Sequence, residues 1–556
     1  MPTPTDSIAA PAPALDRTAA PARAVRADAP PVRTLLSQAA LLGVSGDALL
    51  RNGPVGPGLA IWIGILALAV LSLTWSAGRR LPRESALWLG VAVALGALTA
   101  WRASEELRAF DVLFAIAALG LAAIALRDRS QAVYAERLRD TLWAGAAIVR
   151  NTARGIVPLA LRELFATDHQ RAGIGARARI GTRLALIAGT LLLVFGSLLR
   201  SADPIFARLV RLPDVDVETL VSHVFVAGFF AWIAGGWAYG ALVESPTKNR
   251  APNGLPFTLR ALDVTTALGT LAVLFSAYVL TQLGWFFGGE RFLRATTGLT
   301  AAEYARQGFF QMVWVVALVV PILLVTRAAL APEPALTRRH TLLSLPIVGL
   351  LGAIILSAAL RMRLYVHYYG LTTERLYTLV IMGWLAVVLL LLATTVLRGR
   401  GRPFVAGSAA TALMLLAALH AFVPDVLVAR VNLARAQRAT SELAPALDLR
   451  HLATLSGDAA SLAVRATLDA PAVPPPGATA AEWDGQRCDA ASRLLERWGP
   501  ASRVVGQESE AGAWRTWNAG EAAAARAVGG RSSALRAVAH DACARVRAAR
   551  RAVAYR

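Results

Sequence analysis

The stretch Arg361-Met-Arg-Leu-Tyr365-Val-His367-Tyr-Tyr369-Gly370-Leu-Thr372-Thr-Glu-Arg375 joins two apolar runs, Thr341 to Leu360 and Leu376 to Leu397. A helix of about 20 apolar residues matches a ~30 Å hydrocarbon layer, so the stretch reads as a polar hinge between two membrane spans. The pattern repeats along the chain: Leu59 to Ala77, Ala86 to Trp101, Phe110 to Leu126, Gly181 to Leu199, Leu220 to Val243, Ala261 to Gly284, Gly308 to Thr326 and Phe404 to Val423 are further apolar runs. A weaker one, Thr34 to Leu50, carries Asp47 near its end and reads as a first span or an interfacial helix. The expected fold is all-α, a polytopic membrane bundle of about ten or eleven transmembrane helices with a C-terminal extracytoplasmic helical domain.

Composition agrees. A chain of 556 residues that is 56% hydrophobic, with a mean hydropathy of +0.51, exceeds what one soluble core can bury. The formal charge of +21 raises nucleic acid as a partner. The basic residues are spread over loops and ends, however, with Lys248 the only lysine and no groove-reading motif, so the expected partner is the lipid bilayer and not nucleic acid.

Those basic residues orient the bundle. Arg79, Arg80 and Arg83 share one loop, Arg127 to Arg183 forms a long basic one, and Lys248 with Arg250, Arg338 with Arg339, and Arg398, Arg400 and Arg402 fill others on the same side. Intervening loops are balanced or acidic, with Glu105 and Glu106 against Arg102 and Arg108. Basic loops stay in the cytoplasm, so the expected setting is the bacterial inner membrane, with a cytoplasmic N-terminus and everything after Val423 exported. Residues 1–33, rich in Pro and Ala, read as a disordered cytoplasmic tail and 34–423 as the bundle. Within it, 130–180 alternates Trp143, Ile148, Val149 and Leu159 with arginines, as an amphipathic cytoplasmic insert does.

Residues 424–556 read as a separate helical domain, interrupted by a Pro-rich linker at 471–477. The chain's two cysteines, Cys488 and Cys543, both fall there, and an exported domain makes them a candidate disulfide. The arginines of the last segment, among them Arg536, Arg545 and Arg551, read as a solvated face or as a contact with anionic headgroups.

Three polar segments are expected at the outer face. They are Ser201-Ala-Asp203-Pro204, the 361–375 stretch, and Pro424-Asp425 to Arg435. Buried arginines need partners, so Asp203 and Asp425 are expected beside Arg361, Arg363, Arg375 or Arg430, with Tyr365, Tyr369, Thr372 and Asn432 as neutral donors and acceptors. The cluster serves either as a structural latch or as a ligand site. His223, His367 and His420 fall at outer span ends but lack paired metal-ligand spacing, so no metal is assigned. With no Walker loop, dinucleotide fingerprint or serine elbow in the chain, no cofactor and no catalytic residue is assigned.

At these segments the chain resembles an uncharacterised family of bacterial multi-pass membrane proteins, grouped under domain of unknown function 4153/4173. The resemblance rests on Ala202-Asp203-Pro204, on Arg363-Leu-Tyr365 through Gly370-Leu-Thr372 to Arg375, and on Pro424-Asp425 through Arg430-Val-Asn432 to Arg435. It continues through Asp448 to Leu452, Ser456-Gly-Asp458 and Trp514-Arg-Thr-Trp517-Asn518, and Leu41 to Asp47 with Gly53-Pro54 looks like the family's first span. It implies a membrane protein and no particular activity. The expected function is a non-enzymatic envelope scaffold, sensor or partner-binding protein that engages an envelope protein through its C-terminal domain. The alternatives are a transporter of a small solute or lipid, and a membrane-embedded transferase acting on a lipid-linked substrate at the outer face, with Asp47, Asp203 or Asp425 as acid or metal ligand.

Overall fold

The computed structural model describes residues 28–127, 138–165, 217–244, 259–297, 309–437, 447–500 and 513–554, except 52–54, 155, 332, 401, 476 and 477, together with 181, 184 and 188. The Asp203 segment, most of the 181–199 run, Lys248, Arg250 and the first 27 residues lie outside the described residues. Secondary structure among the described residues is helical, apart from isolated bridge positions at Glu244, Leu259 and Leu330.

The membrane part comprises α1 (Val32–Leu50), α2 (Pro57–Ser76), α3 (Arg83–Leu98), α4 (Glu105–Arg127), α5 (Leu138–Arg154), α6 (Val157–Phe165), α7 (Val217–Leu242), α8 (Ala261–Thr297), α9 (Phe309–Ala328), α10 (Pro334–Tyr369), α11 (Thr373–Leu391, ending in a π turn at Leu392–Val396) and α12 (Arg402–Phe422). Within these, seven stretches among the described residues are long and apolar enough to cross a membrane, in α2, α4, α7, α8, α10, α11 and α12. The protein is a multi-pass helical membrane protein. Three other expected spans appear as helices below that threshold: α1, the 16-residue α3, and α9 with its shorter apolar segment Trp314–Ala328.

Two apolar cores divide the bundle. Leu35, Leu42, Ile63, Leu73, Leu107, Leu126 and Leu242 anchor the first, and Leu268, Leu323, Ile347, Leu351, Ile354 and Leu389 the second. Polar ties fix the register of α1: the Trp62 indole donates to the Leu42 carbonyl (3.0 Å), and Asp47 accepts from Arg51 (2.8 Å) and pairs with His223 of α7. At the other end of the bundle Arg79, 7% exposed, donates to the Leu126 and Leu242 carbonyls (3.3 and 3.4 Å). There Glu244 meets Arg127 (3.1 Å), Arg150 (3.8 Å) and Asn151, which ties the amphipathic α5 to α4 and α7. Some of the basic residues counted for orientation are therefore also structural, satisfying helix C-terminal carbonyls.

The 361–375 stretch is helical for most of its length, which corrects its reading as a hinge. α10 runs unbroken through Tyr369, and the chain reverses only at Gly370 to Thr372. Gly370 has φ +80°, and a Cβ on it would lie 2.9 Å from Arg435 Nη1 and from Asn432 Oδ1, so conformation and space both require glycine. Thr372 then caps α11, its hydroxyl accepting from the Arg375 amide (3.4 Å).

After Val423, whose φ is +50°, come α13 (Pro424–Gln437), α14 (Leu449–Thr454), α15 (Ala460–Asp469), α16 (Ala480–Trp498), α17 (Ala519–Gly529) and α18 (Ser532–Ala554). Their core gathers Val428, Leu449, Leu452, Trp483, Leu494, Val528 and Leu535, and takes in Leu371 from the α10–α11 turn. α16 starts at a capping box, with the Thr479 hydroxyl accepting from the Glu482 amide and Glu482 reaching back to the Thr479 amide. It is joined to α18 by the Cys488–Cys543 disulfide, Cα atoms 5.0 Å apart, and by Arg545 with both oxygens of Asp484 (3.0 Å each). One arginine of the last helix, Arg545, is thus an interhelical partner while remaining exposed.

This C-terminal domain is seated on the loops between α1 and α2 and between α3 and α4. The Ala519 and Gly520 amides donate to the Ala100 and Trp101 carbonyls (2.9 and 3.2 Å), and Asn518, 4% exposed, donates to the Thr99 and Arg102 carbonyls (3.1 and 2.7 Å). In return the Ala103 amide donates to Asp458 (2.7 Å). Gly520 permits the approach: a Cβ there would stand 2.6 Å from Asp458 Oδ1 and 2.9 Å from the Ala103 nitrogen.

Candidate functional site

The Gly370 turn is where the bundle and the C-terminal domain are stitched together. Asn432 of α13 exchanges a hydrogen-bond pair with Leu371, donating to its carbonyl (2.7 Å) and accepting from its amide (3.0 Å). The Arg435 guanidinium donates to the Val366 carbonyl (3.4 Å), and Arg375 donates to the Gly370 carbonyl while lying 4.1 Å from the Tyr365 ring centroid. Both arginines face the C-terminal end of α10, the negative end of its dipole, where the Val366 carbonyl also accepts from the Gly370 amide (2.9 Å). Arg435 is held below its usual range, by burial first and by the neighbouring Arg375 second.

Asp425, 2% exposed, accepts from the hydroxyls of Thr373 (2.9 Å) and Ser456. This corrects the expectation of a guanidinium partner, since the Gly370 carbonyl and the Tyr365 ring hold Arg375 and two hydroxyls hold Asp425. Burial raises the Asp425 carboxyl above the usual range, the two hydroxyls oppose the shift, and the charge of Glu106 adds to it. Asp458 is raised in the same way, against the pull of the Ala103 amide. Of the remaining expected residues, Arg361 is buried, Tyr365, Thr372 and Asn432 are half-buried, and Arg363, Tyr369 and Arg430 are exposed.

Beside this stitch lies a cavity of about 740 Å³. The bundle supplies Glu105 and Glu106 from the start of α4, Tyr365 from α10, and Thr372, Glu374 and Arg375 from the start of α11. The domain supplies Asp425, His451, Thr454, Ser456, Arg497 and Glu521. Arg497 lies 4.1 Å from the Trp498 ring centroid and donates to the Leu455 carbonyl (2.9 Å), while the Trp498 indole donates to Glu521 (2.6 Å). Neighbouring the cavity, the Ser104 hydroxyl meets Glu106 (3.0 Å) and the phenol of Tyr377 (3.1 Å). On the adjoining face of α4, Asp111 is paired with His420 of α12 (2.9 Å), whose ring stacks on Trp101. Such a wall can bind polar and charged groups from two bodies at once.

Two of the three histidines are engaged separately, His223 with Asp47 and His420 with Asp111, and the His367 side chain lies outside the described residues. Among the described residues no group of three or more His, Cys, Asp or Glu is placed to hold a metal ion. Sequence reasoning did not single out Ser456, Asp458, Arg497, Glu521 or Asn518 as site residues. The first two and Asn518 sit in segments that carried the family resemblance, which was the available signal; Arg497 and Glu521 had none.

A family model described as a domain of unknown function, DUF4153, matches residues 89–466. The chain belongs to the DUF4153 family. The DUF4153 match begins in α3 and ends in α15, so it takes in the Gly370 turn, Asp425 and the Ser456 to Asp458 segment, and stops before Arg497, Asn518 and Glu521. No curated protein and no solved structure matches the chain.

Proposed function

We propose that this membrane protein is a non-enzymatic binding protein of the bacterial inner membrane, a sensor or scaffold, that holds a ligand or partner group between its bundle and its C-terminal domain. The observation that carries this reading is the cavity of about 740 Å³ walled by both bodies, a volume within the range of small-molecule sites. We place the C-terminal domain outside the cytoplasm. Support comes from Arg79, Arg80, Arg398 and Arg400 at the opposite helix ends, and from a disulfide suited to an oxidising compartment. A ligand bridging the two bodies stabilises their docked arrangement, which gives a sensor its signal and a scaffold its grip.

Native mass spectrometry of the full-length protein tests the reading. Thr454→Trp places a large ring into the cavity from the domain side. The wild type is expected to carry a bound mass that the variant releases, and identical spectra for the two would contradict a ligand in this cavity.

A further inference from the structure

Resting on that reading, the charges on the cavity wall narrow the ligand. Glu105, Glu106, Glu374, Asp425 and Glu521 bring five carboxyls to it, and Arg375 and Arg497 bring two guanidiniums. Among the described residues none of these seven forms an ion pair with another or with any further residue. Each guanidinium is held by an aromatic ring and backbone carbonyls, Arg375 by Tyr365 and Gly370, Arg497 by Trp498, Thr454 and Leu455. These contacts fix the planes while leaving the positive charges uncompensated and further N–H donors available. Glu105, Glu106 and Glu374 are exposed at the wall.

A cavity holding both signs unneutralised repels a simple cation from its arginines and a simple anion from its carboxylates. A ligand that carries both charges satisfies it. We propose that the cavity binds a zwitterion with an ammonium close to a phosphate, the ammonium held by Glu105, Glu106 and Glu374 and the phosphate by Arg375 and Arg497. The guanidinium fork matches phosphate oxygens, and an ammonium accepts several carboxylates at once. The cavity lies where α4 and α11 begin, at the end of two candidate spans, so this group can come from an aminophospholipid headgroup or from a free phosphorylated amine.

The test uses full-length protein in lipid nanodiscs. In phosphatidylglycerol discs, free O-phosphorylethanolamine is titrated against ethanolamine alone and inorganic phosphate alone by calorimetry. In a second arm, native mass spectrometry follows retention of phosphatidylethanolamine against phosphatidylcholine. Binding of the free zwitterion in preference to either half points to the soluble source, and selective retention of phosphatidylethanolamine alone points to the lipid. Both support the proposal, and in either case Glu374→Gln, which alters an exposed side chain, is expected to weaken binding about tenfold, the loss of one charge-assisted contact. Arg375→Gln is expected to weaken it at least as much, while Glu374→Gln keeps the test decisive should that variant fold poorly. Equal binding of ethanolamine or phosphate alone, indifference to Glu374→Gln, or no binding in either arm overturns it. A retained mass of another chemical class that Thr454→Trp releases would sink this proposal and leave the binding reading standing.

Discussion

Replacing Asn518 by alanine should loosen the seat of the C-terminal domain without unfolding either body. The Asn518 amide donates to the Thr99 and Arg102 carbonyls at 3.1 and 2.7 Å, and its oxygen accepts from the Glu521 amide at 3.1 Å as the cap of α17. Each such bond contributes about 1 kcal/mol net, and losing an N-cap costs about 1 kcal/mol. The cap is internal to the C-terminal domain, so the two bonds that cross the interface set the cost of opening it, about 2 kcal/mol. The neighbouring Ala519 and Gly520 amides donate across the interface to Ala100 and Trp101, so their hydrogen exchange reports opening of this seat directly. By the equivalence of 1.4 kcal/mol to a factor of ten, Asn518→Ala should speed exchange at these two amides about thirtyfold. Amides inside α16 and α18, pinned by the disulfide, should change little. Exchange at Ala519 and Gly520 within about threefold of wild type would mean that Asn518 does not hold the interface.

Four further outcomes follow from the same geometry. Burial raises the Asp425 carboxyl above its reference value of 3.8, so between that value and the raised one the folded protein keeps a proton the unfolded chain has lost, and stability falls as pH rises through this window. Asp425→Asn should flatten that slope in thermal-melt measurements across pH, and an unchanged slope would count against the assignment. Asp425→Ala, which leaves the Thr373 and Ser456 hydroxyls without their acceptor, should cost about 1–3 kcal/mol. Reducing the Cys488–Cys543 bridge, which closes a loop with a sequence separation of 55, should lower the stability of the C-terminal domain by about 4 kcal/mol on the chain-entropy estimate, read as a drop in its denaturant midpoint. Val423→Gly should be tolerated or stabilise by about 1 kcal/mol, since φ +50° is costly for a β-branched residue; a clear loss would show that its side chain, not its backbone, matters.

Much of the fold is legible in apolar run length, because the hydrocarbon layer imposes helices of a set length whatever their sequence. Alternating basic and balanced loops also pointed to the 99–104 and 370–372 turns sharing an end, and both now contact the C-terminal domain. Gly370, Asn432, Arg375 and Asp425 stood out because polar residues crowd there between apolar runs. Their pairing did not follow from the sequence. A count of charges favours carboxylate with guanidinium, whereas the structure offers the arginines backbone carbonyls at the negative end of a helix and offers Asp425 two hydroxyls, one of them on Ser456, distant in the chain. Ser456, Asp458, Asn518 and Arg497 escaped for the same reason: each acts across a junction whose two sides are far apart in the chain. Glu105 and Glu106 were read as charge balance in a loop, and only their placement against Arg375 and Arg497 turns them into cavity wall.

One cavity is built jointly by the start of α11 and the C-terminal domain. Cysteines introduced at Glu374 and Thr454, which line it from the two sides, test this in membranes with a short bis-maleimide, the native cysteines being already paired. An intrachain cross-link between the two positions is expected, identified by peptide mass spectrometry and abolished when either cysteine is omitted. Ready labelling of both positions with no cross-link between them would contradict it.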